Sequence, residues 1–469
     1  MKQKHKELII NTSIIFLAKA CTQLISFLML PLYTSVLPTE DYGLVDLITT
    51  YSALAIPLIG FQLEMGVFRY LVDNRNNEKN KTVLITNSLI TIFASLLFFT
   101  AIYLAIASII NLPYLWLILA STTAMLASNY FLQVARGLGD NIGYSIGSII
   151  TGISTVAINL ILLLVLHMGV SGILIATTIA NIFCVIFLVF REKIPKYINL
   201  SAYSKKEVAK LLKYSAPLVS NSLIWWVINV SDRTIISIFM NMAANGIYAV
   251  SNKFSNIISS IYGVFNLSWT ESASLHINDD DRDEFFSNTF NTTIKTFTCM
   301  SLLMLAFMPI IFKIMVGEGY DEACLYIPVL AIGMIFNIVV SFMGAIYIAK
   351  KKTKEVAITS FWSGVLNIAI NVALIKVIGI WAAALSTLLA FAIMAVYRYF
   401  DVQKYVKLKL NKKLALLLIA LTGACVAFYY INNVATIMAN IVLVTSISIY
   451  INRGTIKTLV KSVKMKLLS

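Results

Sequence analysis

Residues 144–190 read YSIGSIITGISTVAINLILLLVLHMGVSGILIATTIANIFCVIFLVF and contain no Asp, Glu, Lys or Arg. An α-helix rises about 1.5 Å per residue, so roughly 20 apolar residues cross the hydrocarbon core of a bilayer. Met168 and Gly169 divide the stretch, which predicts two membrane spans joined by a tight turn. Tracts with almost no charge recur along the chain: Leu8–Tyr33, Val83–Ile109, Phe297–Phe312, Val356–Leu374 and Leu414–Tyr430. The pattern predicts an all-α polytopic membrane protein.

Composition supports this prediction. Hydrophobic residues make up 59% of the chain and charged residues 13%, whereas soluble domains carry about 25% charged residues. The net charge of +15 would favour nucleic-acid binding in a soluble protein. Here most lysines lie in short loops between spans, so we expect no nucleic-acid partner. The five cysteines are isolated from one another, with no metal-ligand spacing, so we expect neither a disulfide nor a metal centre.

We predict fourteen transmembrane helices. Along the chain, loops without Lys or Arg alternate with basic loops. The basic loops are expected to lie in the cytoplasm. Both termini then lie in the cytoplasm, which requires an even number of spans. The predicted spans are 8–33, 43–68, 83–109, 114–136, 143–167, 170–190, 214–240, 246–271, 289–316, 324–348, 355–376, 379–402, 413–430 and 434–452.

The chain also repeats itself. Gly43, Tyr51-Ser52 and Gly60 match Gly246, Phe254-Ser255 and Gly263 at one constant offset, and Ala157-Ile158-Asn159 matches Ala369-Ile370-Asn371. Spans 1–6 and 7–12 are therefore predicted to form two six-helix lobes related by a parallel internal repeat, with two further C-terminal helices. The predicted domains are 1–198, 199–402 and 403–469, and transporters of this design bind substrate between their lobes.

Three cations lie deep inside predicted spans. Lys19, Arg233 and Lys253 belong to spans 1, 7 and 8, the opening elements of the two repeats. A charge at this depth is costly unless it faces protein or water. If these spans border a central cleft, the three cations would attract a diphosphate, which Lys binds as a point charge and Arg as a fork. Pairing with nearby acids is the alternative interpretation.

Acidic residues suggest two further sites. Glu64, Arg69 and Glu271 lie near inner helix ends and could form an inner gate. Asp232 is next to Arg233, but on a helix their directions differ by about 100°. Asp232 can therefore face span 11, where Asn367 and Asn371 lie four residues apart on one face, and Thr387 of span 12 could complete the pocket. One carboxylate with neutral oxygens suits Na⁺ or a proton; simple packing is the alternative.

The segments Asn11-Thr12-Ser13, Leu30-Pro31-Leu32-Tyr33 and Leu37-Pro38-Thr39-Glu40-Asp41-Tyr42-Gly43, together with Ala157-Ile158-Asn159, resemble Wzx-type polysaccharide (O-antigen or capsule) flippases of the multidrug/oligosaccharidyl-lipid/polysaccharide exporter superfamily. The resemblance implies a fourteen-helix fold and flipping of an undecaprenyl-diphosphate-linked oligosaccharide across the bacterial plasma membrane by alternating access. It implies a cationic cavity at Lys19, Arg233 and Lys253. It also places a Na⁺ site at Asp232, Asn367, Asn371 and Thr387, although Asn371 stands where some relatives have a second acid.

Several functions stay open. Within the superfamily, a multidrug antiporter or a flippase for a lipid-linked peptidoglycan precursor is possible. A membrane polysaccharide polymerase is disfavoured, because His5, His167 and His276 are scattered and no outer loop could house a catalytic site. We expect no enzyme activity and no cofactor beyond a possible Na⁺ or H⁺ gradient. The expected partners are the lipid-linked oligosaccharide and membrane lipids, and a polymerase and chain-length proteins are further candidate partners.

Overall fold

The computed structural model describes the backbone at residue 25 and over residues 27–110 and 112–467. Side chains are described there as well, except at 110, 220, 221, 223–229, 455, 456 and 458–467. Within these ranges the chain forms helices and turns but no strand. The helices are α1 Leu30–Val36, α2 Thr39–Gly60, α3 Leu63–Asp73, α4 Glu78–Ile110, α5 Leu115–Leu138, α6 Asn141–Asn159, α7 Gly169–Arg191, α8 Lys205–Phe239, α9 Met242–His276, α10 Arg282–Met315, α11 Ala323–Ala349, α12 Thr353–Ile378, α13 Ile380–Val402, α14 Lys412–Ile431 and α15 Val434–Leu467.

Eleven of the helices in the described ranges are long and apolar enough to cross a membrane. They coincide with eleven of the fourteen predicted spans. Of the other three, span 1 lies largely outside the described residues, and spans 7 and 8 fall in α8 and α9, which have 35 residues each. A helix of that length extends about 50 Å and can cross a bilayer. The predicted fold class, an all-α polytopic membrane protein, is confirmed.

Helix α9 carries several buried polar residues. Asn245, Ser251, Asn252 and Ser255 all lie in its first half and are buried. Polar side chains are tolerated at membrane depth when they face protein instead of lipid. The low apolarity of this span therefore reflects its position inside the protein.

The chain divides into two compact units, residues 1–230 and 231–469, with the boundary inside α8. The predicted domain limits at 198 and 402 were placed between whole spans and not by the compactness of the structure. They stay predictions. Each unit is described by itself below.

In the first unit, α2, α5 and α7 run parallel. Ser52 Oγ of α2 lies 2.9 Å from Thr122 Oγ1 of α5, and Ser128 Oγ of α5 donates to Asn181 Oδ1 of α7 at 2.5 Å. Small hydroxyl side chains allow helices to approach closely and replace water as hydrogen-bond partners. Beneath these contacts lies an apolar core formed by the fully buried Leu63, Val67, Leu71, Ile85 and Val134.

In the second unit, α9, α11 and α13 run parallel in the same way. Ser251 Oγ of α9 donates to the Ala323 carbonyl oxygen at 2.8 Å. Further along both helices, the Trp269 indole donates to the Phe342 carbonyl oxygen at 3.1 Å and stacks on the Phe342 ring. Helices α11 and α13 meet at Gly333, where an added Cβ would lie 3.4 Å from the Leu388 Cα.

The two units thus contain the same three-helix arrangement built from corresponding spans. The antiparallel pair that follows is also shared, since α6 packs against α7 in the first unit and α12 against α13 in the second. Both pairs turn at a glycine with positive φ, Gly169 (55°) and Gly379 (58°), a backbone region that glycine enters without steric cost. Each unit therefore contains one copy of the repeated arrangement, and the predicted internal repeat is confirmed.

One predicted span is interrupted. Residues 43–68 were expected to form a single helix, but α2 ends at Gly60 and α3 begins at Leu63. Phe61 and Gln62 between them adopt left-handed backbone angles, with φ of 48° and 53°. The Ile59 carbonyl oxygen accepts a hydrogen bond from Ser95 Oγ of α4 at 2.6 Å, and Gln62 Nε2 donates to Ser222 Oγ of α8 at 2.9 Å. These tertiary partners take the place of helical hydrogen bonds. The local sequence contained no sign of the break.

The last two helices pack against other helices of the second unit. Tyr429 and Tyr430 of α14 donate their hydroxyls to the Cys324 and Leu325 carbonyl oxygens at 2.8 and 2.9 Å. Thr296 of α10 donates to Asn452 Oδ1 of α15 at 3.2 Å. Spans 13 and 14 are therefore joined to α10 and α11.

A charged cluster ties the α5–α6 turn to the end of α7. Asp140 caps α6 by accepting from the Gly143 amide at 2.7 Å, and Arg191 Nε donates to its other oxygen at 2.5 Å. Burial raises the pKa of Asp140, but Arg191 and the Gly143 amide outweigh burial and leave that pKa below its usual value. Burial and the Asp140 carboxylate raise the pKa of Glu192 from 4.5 to about 7. At position 143 a Cβ would lie 2.5 Å from Asp140 Oδ2, so glycine is required there.

The Glu192 pKa predicts a pH dependence of stability. Because the folded-state pKa lies above the unfolded value, stability is fully present below the unfolded pKa and falls as pH rises through about 7. We expect the unfolding temperature in detergent to fall between about pH 5 and pH 8, and Glu192→Gln to remove that part of the fall. Glu318→Gln, at an exposed loop carboxylate, is the matched control. An unchanged pH profile in Glu192→Gln would contradict the assignment.

Arg398 of α13 is buried, with 2% of its surface exposed, and has no carboxylate partner among the described residues. Its guanidinium donates to the Val340 carbonyl oxygen of α11 at 3.0 Å and to Thr359 Oγ1 of α12 at 2.6 Å. It also donates to Ser360 Oγ and the Val356 carbonyl oxygen, at 3.1 and 3.2 Å. One side chain therefore connects three helices through neutral oxygens.

We expect Arg398→Met to destabilise the protein by roughly 3 kcal/mol, because it leaves several buried oxygens without donors. Arg398→Lys should give an intermediate loss, because an ammonium cannot reproduce the planar fork. Thermal unfolding in detergent measures both variants. Arg453→Met, at an exposed arginine, should leave stability within error; equal losses at both positions would show that the Arg398 contacts contribute little.

Candidate functional site

Asp232 in α8 is the centre of a polar site in the second unit. Its side chain is 3% exposed, and both carboxylate oxygens accept hydrogen bonds from other helices. Oδ2 accepts from Thr387 Oγ1 of α13 at 2.6 Å and from the Tyr248 hydroxyl of α9 at 2.8 Å. Oδ1 accepts from Asn371 Nδ2 of α12 at 2.8 Å. Three neutral donors thus surround one carboxylate, an arrangement that stabilises its charged form.

A second layer of polar groups orients these donors. Asn367, one turn before Asn371, donates through Nδ2 to Thr387 Oγ1 at 3.1 Å and to Ser386 Oγ at 3.3 Å. Its Oδ1 accepts from Ser231 Oγ at 3.1 Å. Because Asn367 donates to the Thr387 oxygen, the Thr387 proton is directed toward Asp232.

The helical hairpin explains how these residues meet. Helices α12 and α13 run antiparallel around Gly379. Asn367 and Asn371 lie four residues apart and share one face of α12. The contact continues along the hairpin, where Ser363 Oγ donates to the Ala390 carbonyl oxygen at 3.2 Å. The predicted set Asp232, Asn367, Asn371 and Thr387 therefore lies together in one hydrogen-bonded cluster.

One acceptor in the cluster is unused. Asn371 is fully buried, and its Oδ1 atom has no hydrogen-bond partner among the described residues. A buried amide oxygen without a partner carries a desolvation cost that a cation would relieve. Hard cations prefer oxygen ligands of this kind, namely carboxylate, amide carbonyl and hydroxyl.

The charge of the site limits what it could hold. Within the described residues, no group of three or more His, Cys, Asp or Glu side chains is arranged to hold a metal ion. Asp232 supplies one carboxylate and its described hydrogen-bond partners are neutral. A single negative charge in a low-dielectric environment matches a monovalent cation or a proton better than a divalent metal.

The corresponding position in the first unit has different chemistry. Asn159, the repeat counterpart of Asn371, donates through Nδ2 to the Tyr33 hydroxyl at 3.1 Å, and its buried Oδ1 likewise has no partner within the described part of the chain. Thr177, the counterpart of Thr387, donates to the Ile173 carbonyl oxygen of its own helix. Among the described residues, a phenol therefore takes the place that the carboxylate has in the second unit.

The predicted diphosphate-binding residues are placed as follows. Lys19 lies outside the described residues. Arg233 and Lys253 are both half-buried, on α8 and α9, and each takes part in polar or electrostatic interactions. Their role in binding a diphosphate stays a prediction.

The predicted inner-gate residues are placed as follows. Arg69 pairs with Asp73 one turn along α3, at 2.6 Å. Five residues separate Glu64 and Arg69, so their directions differ by about 140°. Glu64 is 8% exposed and its Oε2 atom has no hydrogen-bond partner among the described residues, whereas Glu271 is exposed. The gate function of these residues stays a prediction.

Sequence reasoning missed three members of the Asp232 cluster, namely Tyr248, Ser231 and Ser386. Ser231 and Ser386 are direct neighbours of predicted residues, so adjacency was an available signal. Tyr248 lies 16 residues from Asp232, on the next helix. Its contact depends on how α8 and α9 pack, and the sequence contained no local signal for it.

Solved structures share the fold of this chain. An inward-facing multidrug resistance MATE family transporter of the MOP superfamily matches with a TM-score of 0.68 and 12% identity, covering 81% of this chain and 93% of that chain. The lipid II flippase MurJ in an inward closed conformation matches with a TM-score of 0.68 and 16% identity, covering 96% of this chain and 100% of that chain. The Vibrio cholerae MATE transporter VcmN in the bent form gives a TM-score of 0.53 at 14% identity, covering 85% and 97%. These similarities show a common fold.

A comparison with curated protein sequences gives no significant match. The family model described as polysaccharide biosynthesis protein matches residues 8–269, which is more than half of the 469 residues. The match includes the segments that carry the resemblance to polysaccharide flippases, and the superfamily expected from that resemblance agrees with the fold. The chain is a multi-pass membrane protein and belongs to the polysaccharide biosynthesis protein family.

Proposed function

We propose that this protein is a flippase that moves an undecaprenyl-diphosphate-linked oligosaccharide from the cytoplasmic to the outer leaflet of a bacterial plasma membrane. The observation that carries the proposal is the family match over residues 8–269, because it identifies the class of pathway. The fold shared with transporters and with a lipid II flippase supports a transport role. The protein would work by alternating access without a covalent step, and both termini would lie in the cytoplasm.

We further propose that an ion gradient drives the cycle through the Asp232 cluster. The buried carboxylate, the Thr387 hydroxyl and the unused Asn371 oxygen are a suitable set of ligands for Na⁺. The ion would be cargo, bound in one state of the cycle and released in another. A ligand shifts a conformational equilibrium only by its difference in affinity between the states. Binding of the ion would have to rearrange the hydrogen bonds that join the four helices at this site.

The diphosphate would be bound by the half-buried cations Arg233 and Lys253 together with Lys19. An arginine fork and lysine point charges are the usual partners of phosphoryl oxygens. A cationic site also argues against a multidrug antiporter, which would need an apolar or acidic cavity for cationic drugs.

A second candidate is a flippase for a lipid-linked peptidoglycan precursor. The supporting observation is that the lipid II flippase is covered over its whole length, whereas the MATE family transporter is covered over 93%. Both candidate substrates carry a diphosphate, so the charged residues serve either one. The family match favours a polysaccharide repeat unit, and a polymerase and chain-length proteins would then act on the product.

The Asp232 proposal predicts that Asp232→Asn lowers Na⁺-stimulated flipping of a lipid-linked oligosaccharide at least about tenfold. The amide keeps the shape of the side chain but removes the charge, and a hydrogen bond to a charged group contributes about 1.5–3 kcal/mol. Reconstituted liposomes with an imposed Na⁺ or H⁺ gradient provide the measurement.

The matched control for this experiment is Asp321→Asn, which neutralises an exposed loop carboxylate and should leave flipping unchanged. If Asp232→Asn keeps full activity and the same response to both gradients, the cluster has no coupling role. A response to H⁺ alone in the unmodified protein would exclude Na⁺ and retain the carboxylate as a proton site.

The diphosphate proposal predicts that Arg233→Gln with Lys253→Gln abolishes surface polysaccharide in a strain that depends on this protein. Losing two charge-assisted contacts should weaken head-group binding by roughly a hundredfold. Lys313→Gln with Lys376→Gln is the control pair, because Lys313 is exposed and the Lys376 ammonium lies over the Phe239 ring. Normal polysaccharide in the first variant, at equal protein level, would refute the assignment.

A further inference from the structure

A basic groove lies in the first unit. It is lined by Tyr70 of α3 and by Lys206, Ala209, Lys210, Lys213 and Tyr214 of α8, and its volume is about 660 Å³. The groove is open and not an enclosed cavity. Three lysines at spacings of four and three residues share one face of the helix.

Nearby carboxylates do not fully neutralise the positive charge of the groove. Lys210 Nζ lies 3.1 Å from Glu207 and 4.9 Å from the centre of the Tyr70 ring. Arg69 next to the groove is paired with Asp73. Lys206 and Lys213 are exposed and have no carboxylate partner among the described residues. Three lysines against the single carboxylate of Glu207 leave a surplus of two positive charges.

The walls of the groove are fixed in place. Thr86 Oγ1 and Asn87 Nδ2 of α4 donate to the Tyr197 and Ala202 carbonyl oxygens at 2.8 and 2.9 Å. Asn87 Oδ1 accepts from the Ser204 amide at 2.8 Å, so the segment before α8 is held against α4. A site whose parts are already held in position loses less entropy on binding.

The first turns of α8 are also packed against the rest of the unit. Leu211 is fully buried in the core of the unit. At Gly66 of α3 an added Cβ would lie 2.2 Å from Ser215 Oγ. Helices α3 and α8 therefore lie close together here, and a larger side chain at position 66 would have to displace the Ser215 hydroxyl.

The groove also lies at the level where lipid head groups are expected. It occupies the start of α8, directly after the basic linker and before the apolar part of the helix. Tyr70 and Tyr214 meet edge to face, with ring centres 5.8 Å apart. Tyrosine is enriched at membrane interfaces, where its ring contacts acyl chains and its hydroxyl contacts water. Lysines close to a membrane surface attract anionic lipids.

We propose that this groove binds the phosphate head group of an anionic phospholipid from the leaflet on the side of the basic loops. The lysines supply the positive charge, and the two tyrosines contact the glycerol and upper acyl region. The groove shares no residue with the diphosphate-binding set proposed above, and lipid binding is measured without transport. A failure here would leave the proposed flippase function untouched.

The test measures binding of phosphatidylglycerol to the purified full-length protein in detergent by native mass spectrometry. We expect Lys206→Gln, Lys210→Gln and Lys213→Gln together to weaken binding about tenfold or more. Replacing the same three lysines by Arg should retain binding, because the charge is kept. Lys407→Gln, Lys409→Gln and Lys412→Gln together remove the same charge from exposed positions in the second unit and should retain binding.

Three outcomes would overturn the inference. Equal affinity for phosphatidylglycerol in the unmodified and triple-Gln proteins would show that the groove binds no lipid. An equal loss in the control triple would show that only net charge matters. If inorganic phosphate binds as strongly as phosphatidylglycerol, or phosphatidylcholine binds equally well, the ligand is not an anionic lipid. Size-exclusion profiles and unfolding temperatures verify that each variant is folded.

Discussion

The middle of a bilayer offers no water, so every polar group placed there must be satisfied by protein. The Asp232 cluster shows the consequence most clearly. Its carboxylate takes hydrogen bonds from α9, α12 and α13 while it is itself carried by α8. Four helices therefore share one set of hydrogen bonds, and movement of any of them changes the partners of the carboxylate. Arg398 shows the same constraint for a cation, whose charge is shared among neutral oxygens of α11 and α12.

The repeat supplies the same scaffold twice and uses it for different chemistry. Asn159 and Asn371 occupy corresponding positions, and each has one buried amide oxygen with no partner among the residues that the structure describes. The first is faced by the phenol of Tyr33 and the second by the carboxylate of Asp232. A duplicated fold thus keeps its packing, while a few substitutions change the group that faces the asparagine. The first unit carries a different feature, the lysine-rich groove at the start of α8, where α8 lies close to α3 at Gly66.

Much of the candidate ion site could be predicted because it follows helical periodicity. Asn367 and Asn371 share a face by spacing alone, and Thr387 lies on the next span along the chain. Tyr248 could not be predicted, because its contact with Asp232 depends on the packing of α8 against α9. The break at Phe61 and Gln62 was missed for a similar reason. Its backbone is supported by Ser95 and Ser222, which lie far away in sequence. The ion pair of Arg69 with Asp73, one turn along the same helix, was also not predicted.

The sequence by itself determined that the chain is helical, crosses a membrane many times and is built on a repeat. These properties depend on apolar length and on the period of a helix, both of which are local and additive along the chain. The tertiary structure alone decided which polar side chains meet, where a span is broken and which lysines share a groove. Those features depend on contacts between residues far apart in sequence, and a small change in helix packing would exchange one partner for another.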